Sequence, residues 1–413
     1  MKYLRLQCAL IFVVVFGITA FAAELPVLSG YVRNYTGVIV SQNPDFAIIQ
    51  NTVNLSLEYR KDKVGLKMNP WLYHYSKTGL EIGLREAYLD IFLNSLDIRI
   101  GKQQIMWGKG DGVFITDIIS PKDMREFLLP DFEEIRIGVN ALKLDVFSGK
   151  HNFELVLLPQ FVPTTLPDEG SIWRPETSFP IRPTIDSADV DVPLRVENSE
   201  AFGKYSLMTS AADIDILGGY TWDDDPTMHI RKTMDPQTRT LTTIEITPRH
   251  HRLTVAGAAF SMGIGDFVIR SEGAWYRGKY FTTLDMADAD GVAKKDYINY
   301  LIGTDFNWWE ITFSAQYIQK AILDYSEDIS DPQFENMVTF LARRDFLRET
   351  LTLDFFAYIG IDEPDALLRP RVRYAFADGF EFQLGANIFV GDNGRFGSYD
   401  KNDMVYLKTK FTF

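Results

Sequence analysis

Apolar and polar residues alternate along most of this chain, from near Ser29 to the last residue. Successive side chains of a β-strand point to opposite faces, so such alternation predicts strands with one apolar and one polar face. Chain ends usually fray unless other structure ties them down. The final segment therefore indicates a paired C-terminal strand, with one face formed by Val405, Leu407, Phe411 and Phe413 and the other by Lys408 and Lys410.

The alternating segments predict an all-β fold, and stretches with helical periodicity are scarce. We place strands near residues 29–40, 46–60, 63–76, 81–94, 96–108, 135–148, 151–164, 200–210, 212–224, 250–262, 265–280, 295–307, 310–325, 334–343, 346–359, 366–376, 380–391 and 403–413. Tight turns alternate with longer connections, of which the longest are residues 109–134, 165–199 and 225–249. This pattern is typical of a transmembrane antiparallel up-and-down β-barrel of roughly 16 to 18 strands, with short periplasmic turns and long extracellular loops. Eighteen strands fit best.

The fourth and fifth predicted strands test the barrel hypothesis at single residues. A two-residue turn between them sets Asp90 opposite Arg99 and Glu86 opposite Gln103, and it places the aliphatic residues together on the other face. A slip of one residue would destroy both faces at once. The hairpin therefore predicts a lipid-facing side and a polar lumenal side.

Three arginines, Arg369, Arg371 and Arg373, alternate along the sixteenth predicted strand. An arginine on a lipid face costs roughly 2–4 kcal/mol at the bilayer midplane, and a dry sandwich core would be costlier unless the charge were paired. This arginine ladder therefore favours a wet barrel interior. It predicts either a lumen that attracts anions or a wall neutralised by the acids Glu86, Asp90, Glu272 and Asp305. We expect the lumen-lining and selectivity residues to include Arg369, Arg371, Arg373, Arg99, Arg270, Glu86, Asp90, Glu272 and Asp305.

Composition and the N-terminus agree with an exported barrel. The chain is 46% hydrophobic and 14% aromatic, yet after the first 22 residues no segment approaches the ~18 consecutive apolar residues of a membrane helix. Lys2 and Arg5 precede an apolar run that ends in small residues, which is typical of a secretory signal peptide over residues 1–22. We expect one barrel domain over residues 23–413, without disulfides because Cys8 is the sole cysteine. A net charge of −14 argues against nucleic acid as a partner.

The connection over residues 109–134, which is the third predicted outer loop, contains features of a loop that could narrow the pore. Ser120 followed by Pro121 and, two residues later, Asp123 has the pattern of a helix start. The connection resembles, in length and position, the third loop of general porins, which folds into the lumen. Asp117, Pro121 and Asp123 are therefore the constriction candidates, and an external lid is the alternative.

Several motifs resemble a family of porin-like bacterial outer-membrane barrels catalogued as a domain of unknown function. They are Gly101-x-Gln103 with Trp107-Gly108, Leu84-Arg-Glu-Ala-Tyr-Leu89, Arg270-Ser-Glu-Gly-Ala-Trp275, Gly303-Thr-Asp-Phe306 and Phe396-Gly-Ser-Tyr399. The alginate-export type of barrel is a looser likeness. The resemblance implies a channel in the cell outer membrane, in contact with lipid and lipopolysaccharide. It also implies that the barrel-assembly machinery reads Phe411 and Phe413 as its signal. It implies no substrate.

Three other functions are alternatives to a channel. A conduit of an envelope export system for polymer or lipid would need a partner in the periplasm or inner membrane. A barrel hydrolase would have to use His229, His250 or His251 near the acids 223–225, and a surface adhesin is a further alternative. The chain has no Gly-x-Ser-x-Gly elbow, His-Glu-x-x-His motif, P-loop or dinucleotide fingerprint, and its acidic segments lack the spacing of a calcium loop. We therefore predict no enzyme, catalytic residue, cofactor or metal site.

Overall fold

The structure, a computed structural model, describes residues 26–41, 44–175, 179–238, 240–283 and 290–413. The predicted signal peptide, including Cys8, lies outside these residues. No helix in the described part of the chain is long and apolar enough to cross a membrane.

Within these residues, eighteen strands form one antiparallel sheet, and each corresponds to one predicted strand. They are β1 (Val27–Ile39), β2 (Asp45–Lys61), β3 (Val64–Tyr75), β4 (Gly79–Phe92), β5 (Leu96–Gln103), β6 (Val139–Ser148), β7 (His151–Leu158), β9 (Glu200–Met208), β10 (Ala212–Trp222), β13 (Arg252–Ile264), β14 (Phe267–Thr282), β15 (Val292–Trp308), β16 (Ile311–Ile322), β17 (Phe334–Phe346), β18 (Leu351–Gly360), β19 (Asp365–Ala377), β20 (Phe380–Val390) and β21 (Met404–Thr412). Strands that follow one another along the barrel wall are hydrogen-bonded neighbours.

The first and last strands close the sheet into a barrel. Strand β1 pairs antiparallel with β21, and the pairing extends to the last residue. The Gly30 N–H donates to the Phe413 carbonyl at 3.0 Å, and the Phe413 N–H donates back to Gly30 at 2.9 Å. Leu407 is 44% exposed on the outside, whereas Lys408 is 7% exposed on the inside. The predicted closure and orientation of the terminal strand are confirmed.

The β4–β5 hairpin has the predicted register, with Asp90 opposite Arg99. The predicted pair of Glu86 with Gln103 does not form, because the ladder ends one pair earlier, at Ala87 and Lys102. Strand β4 also carries a bulge at this level, where its ladder to β3 skips Arg85. In β19–β20, Arg371 lies opposite Gly385, so the arginine ladder faces inward.

The apolar exterior and its rim fit a bilayer. The outward faces carry large exposed hydrophobic side chains on most barrel strands. At the β15–β16 turn the exposed rings of Trp308 and Trp309 stack with centroids 4.5 Å apart. Tryptophans at this position suit the polar–apolar boundary of a membrane.

The long connections hold more structure than the sequence predicted. Three further strands, β8 (Thr184–Ile185), β11 (Thr227–Met234) and β12 (Leu241–Arg249), form a small separate sheet within segments predicted as loops. Two short α-helices, α1 (Phe132–Ile135) and α2 (Gly394–Gly397), and two 3₁₀ helices, Val196–Asn198 and Asp400–Asn402, lie outside the barrel wall in the described chain.

The predicted helix start at Ser120 and Pro121 is wrong. The Ser120 hydroxyl accepts the Ile105 N–H at 2.9 Å, so it does not cap a helix. Residues 122 and 123 instead form isolated β-bridges with Arg136 and Thr165. The connection between β5 and β6 is also longer than predicted, because β5 ends at Gln103 and β6 begins at Val139.

The close packing of β1 against β2 at Gly30 can be tested with a single methyl group. A Cβ at Gly30 would lie 2.3 Å from the Asn54 carbonyl oxygen of β2. We expect Gly30→Ala to destabilise the barrel by about 1–3 kcal/mol, as overpacking usually does. Urea unfolding, followed by the heat-modifiable mobility of the folded barrel, measures this difference. Gly263→Ala is the matched control, since nothing lies within 4 Å of its added Cβ. Equal stability of the two variants would contradict this close packing of β1 against β2.

Candidate functional site: the barrel lumen

The connection between β5 and β6, residues 104–138 and here called the inner loop, lies inside the barrel. The Tyr276 hydroxyl of β14 donates to the Ile115 carbonyl at 2.5 Å. On a different part of the wall, the Tyr31 hydroxyl of β1 donates to Glu134 at 2.9 Å. A loop that reaches both strands crosses the lumen, so the lumen and this loop together form the candidate site.

Charged residues of strand β14 hold the inner loop through ion pairs and hydrogen bonds. Arg270 of β14 pairs with Asp111 of the loop and, at 2.7 Å, with Asp305 of β15. Glu272 accepts the Thr116 hydroxyl at 2.6 Å and the Lys109 N–H at 2.9 Å.

Two predicted lumen residues, Arg270 and Glu272, therefore anchor the loop, and a third, Asp305, holds Arg270 in place. Glu272 is covered almost completely by it. The sequence pattern showed that these residues face inward, but it could not show the loop residues that meet them more than 150 positions away.

Apolar packing also attaches the loop to the wall. Ile105, Trp107 and Ile119 pack on inward-facing residues of β6, β7, β9 and β10, such as Val156 and Phe202. Val113, Ile115, Phe127 and Leu129 belong to a second cluster with residues from β13 round to β1. These wall residues face inward at positions where a water-filled barrel would have polar ones. The inner loop gives them an apolar partner.

The arginine ladder is divided between the wall and the loop. Arg371 contacts Asp354 of β18 at 2.6 Å, and Arg373 contacts the same carboxylate at 3.4 Å. Arg369 instead donates to the Leu128 and Leu129 carbonyls of the inner loop, at 3.0 and 2.8 Å.

The expectation that Glu86, Asp90, Glu272 and Asp305 neutralise the ladder is wrong. Asp354, whose side chain is 1% exposed, does so from the adjacent strand. Its position opposite Arg371 in the β18–β19 ladder was a signal available in the sequence. Of the predicted acids, Asp90 pairs with Arg99 at 2.7 Å and Glu86 with Lys67 at 3.2 Å.

A cluster that sequence reasoning missed lies between the loop and strands β1, β4 and β21. Arg33 contacts Glu134 of α1 at 3.0 Å, and Arg85 lies 3.9 Å from the same carboxylate. Lys408 contacts Asp131 at 3.4 Å. We call Arg33, Arg85 and Lys408 the cation cluster. The alternation of Tyr31, Arg33 and Tyr35 along β1 resembles the arginine ladder and could have revealed it.

The cation cluster sets the charge of the loop acids. Burial alone would raise the pKa of Glu134, but Arg33, Lys408 and Arg85 outweigh it and lower that pKa below its usual value. Lys408 holds the pKa of Asp131 far below its usual range. Both carboxylates are therefore ionised at neutral pH.

Two cavities with shared lining residues lie beside the inner loop. A cavity of about 700 Å³ opens among the long connections and is lined by Phe46, Tyr75, Arg125, Glu126 and Trp173, among others. We call it the vestibule. A second cavity, of about 30 Å³, shares Tyr75, Arg125 and Glu126 with it.

The small cavity is much narrower than the vestibule. Arg33, Glu134 and Lys408 line it, and at about 30 Å³ it has room for only a few water molecules. The free space is therefore pinched where the inner loop meets the cation cluster.

The predicted constriction residues do not line the pinch equally. The Asp117 carboxylate is buried and contacts Arg136 at 2.6 Å, so it joins the two arms of the loop. The Pro121 carbonyl accepts the Ile137 N–H at 2.8 Å, which likewise joins the two arms. Asp123 contacts Arg125 at 2.7 Å and lines the small cavity.

The histidine-rich region does not assemble an acid–base pair between His250 and the Asp223 carboxylate. His250 Nδ1 lies 2.7 Å from the Asp223 backbone carbonyl, and the carboxylate pairs with Lys279. His229 and His251 contact each other through their Nε2 atoms at 2.9 Å. Among the described residues, no group of three or more His, Cys, Asp or Glu side chains could hold a metal ion.

Comparison with known sequences places the chain in a family. The family described as "Protein of unknown function (DUF1302)" matches residues 45–357, which is most of the chain. The chain belongs to this family. No curated protein matches its sequence.

Solved structures share the fold of this DUF1302 protein. OccAB4 of Acinetobacter baumannii has a TM-score of 0.57 at 11% identity, over 94% of this chain and 98% of that one. OccAB1 of the same organism has a TM-score of 0.57 at 9% identity, over 95% and 97%. Pseudomonas aeruginosa OccK2 (OpdF), solved in complex with glucuronate, has a TM-score of 0.55 at 10% identity, over 94% and 98%. At these identities the likeness shows the fold.

The carboxylate of Glu126, which lines both the vestibule and the small cavity, should titrate near neutral pH. Burial, and then Glu134, raise the pKa of Glu126 to about 7, although Arg33 and Lys408 oppose the shift. Raising the pH from 6 to 8 should therefore add a negative charge there and favour cations by up to about fivefold, the factor given by ~1 kcal/mol.

Reversal potentials across a bilayer measure this change. Glu126→Gln should abolish the change in cation selectivity between pH 6 and pH 8. Glu169→Gln should retain it, because this control removes a carboxylate from the vestibule lining but leaves Glu126 in place. If the change in selectivity persists in Glu126→Gln, Glu126 is not the titrating group.

Proposed function

We propose that this protein is an outer-membrane channel for passive, charge-selective passage of small solutes. The observation that supports it most is the pair of neighbouring cavities, the vestibule and the small cavity at the cation cluster. We infer that they are the start of a route through a closed transmembrane barrel whose interior carries ionised groups of both signs. Charged groups in an interior of this kind select ions and solutes by sign and size.

The size of the vestibule suits a small organic solute. Ligand sites in proteins commonly measure about 300–1,000 Å³, and the vestibule falls within that range at about 700 Å³. Acidic and basic side chains, such as Glu126 and Arg125, line the vestibule. The cation cluster lies at the adjoining small cavity. OccK2 (OpdF) was solved with glucuronate, a sugar that carries a carboxylate. That precedent, together with Arg33 and Arg371, supports a small anionic solute for this chain as well.

The location follows from the same proposal. The chain would be exported with a cleaved signal peptide over residues 1–22. The barrel-assembly machinery would insert it into the outer membrane and read Phe411 and Phe413 as its signal. Its apolar exterior would then contact lipid and lipopolysaccharide. Passage through the channel would use no catalytic step and no cofactor.

Conductance tests the channel directly. Purified protein in planar bilayers should give discrete current steps in potassium chloride. Heat-denatured protein from the same preparation is the control for detergent artefacts. If correctly folded barrels, verified by heat-modifiable mobility, give no steps at any voltage, the proposed function is wrong.

The arginine ladder should influence which ions pass. Arg371→Glu reverses a charge beside Asp354 and should shift the permeability ratio toward cations by about fivefold, as expected for ~1 kcal/mol at a few ångströms in water. Arg371→Gln should give a smaller shift in the same direction and leaves the fold less disturbed. Arg348→Gln, in the exposed β17–β18 turn, is the control. An unchanged ratio in Arg371→Glu would show that the ladder is structural.

A further inference from the structure

The inner loop is not attached equally to all sides of the barrel. From β13 round to β1, apolar packing contributes to its attachment. Toward β3 and β4 its contacts are polar: Arg125 meets Glu81 at 3.0 Å and Glu134 lies near Arg85. Within the described chain, neither apolar cluster includes a residue of β3 or β4. Polar contacts can be exchanged for contacts with water or a solute, so this is the side on which the loop can separate from the wall.

Glu134 lies in an arrangement that suits any carboxylate. Arg33 Nη1 reaches its two oxygens at 3.0 and 3.1 Å, and the Tyr31 hydroxyl donates to one of them at 2.9 Å. Arg85 Nη2 adds positive charge from 3.9 Å. Arginine is suited to carboxylate recognition because its donors are planar and its charge is permanent.

The wall positions these cations independently of the loop. Arg33 Nη2 donates to Gln50 on the neighbouring strand β2 at 2.9 Å, and Arg85 Nη2 donates to Tyr73 of β3 at 2.9 Å. The Arg33 side chain is only 5% exposed. The donors therefore remain in place if Glu134 leaves, and the site is built into the barrel wall.

An empty site would be unfavourable. A buried cation that loses its partner is strongly destabilising, so Glu134 leaves readily only when another anion replaces it. The site lies at the pinch below the vestibule, where a solute on this route arrives. The Glu134 carboxylate thus occupies the position that an entering anion would take.

We propose that Tyr31, Arg33 and Arg85 form a carboxylate-binding site that Glu134 occupies in the closed channel. A solute carboxylate displaces Glu134 and so separates α1 of the inner loop from strands β1, β3 and β4. This inference rests on the proposed function, because it supplies the substrate class and the opening step of the same route.

The Glu134 carboxylate is tethered to the barrel and competes with a solute carboxylate for the same site, which predicts how far it weakens solute binding. A tethered carboxylate competes at an effective concentration in the millimolar range. A solute must overcome that competitor, so its apparent affinity is reduced by the fraction of sites left free. Glu134→Gln removes the negative charge at nearly constant shape and should tighten glucuronate binding by about tenfold.

Calorimetric titration of the detergent-solubilised full-length barrel with sodium glucuronate at low ionic strength measures this affinity without requiring conductance. Glu133→Gln is the matched control, since it makes the same change on the adjacent, exposed residue of α1. Glucose serves as the uncharged probe and should bind to neither variant. Arg33→Gln combined with Glu134→Gln should abolish glucuronate binding, and Glu134→Gln alone should raise the single-channel conductance. Heat-modifiable mobility verifies the fold of each variant.

The outcomes separate this inference from the proposed function. Equal glucuronate affinity of wild type and Glu134→Gln overturns the inference, and so does an equal gain in Glu133→Gln, which would indicate a general charge effect. Binding that persists without Arg33 overturns it as well. In each case discrete conductance would leave the channel function standing, whereas absent conductance in folded wild-type barrels would refute that function separately.

Discussion

Backbone groups inside a bilayer must find hydrogen-bond partners within the protein, because lipid offers none. The paired strands β1 and β21 meet this requirement at the seam between the first and last barrel strands, where Gly30 and Phe413 exchange both hydrogen bonds. Closure fixes an inside and an outside for every strand. The outside can then be apolar, and the inside can hold charges that lipid would reject. The arginine ladder and the cation cluster both depend on this division.

Closure of eighteen strands also creates a space that wall side chains do not fill, since such barrels are wider than those packed by their own residues. The inner loop occupies much of it. Apolar clusters and the Arg270 pairs hold one part of the loop, while ionic contacts hold the part near Arg33. A single loop therefore combines a fixed region with a region whose contacts an anion can replace. Such an arrangement suits a selective channel better than a fully packed plug would.

Prediction from the sequence succeeded where the decisive interactions are local. The Asp90–Arg99 register and the inward face of Arg371 follow from alternation and a short turn. It failed where a distant group competes for the same atoms. The Ser120 hydroxyl has the pattern of a helix cap, but the Ile105 N–H takes it. Alternation could place Glu272 on the inward face, but it could not show that Thr116 and the Lys109 N–H would cover it.

The sequence by itself determined the strand count to within two, the direction of each face and the closure of the barrel, because a two-residue period and short turns act between near neighbours. Only the tertiary structure decided what the inward-facing groups do. Arg33 meets Glu134 across about a hundred residues, and Asp111 meets Arg270 across more than 150. No periodicity encodes such contacts, since they arise only after the barrel has closed and the inner loop has crossed it. The site therefore had to be read from the folded lumen.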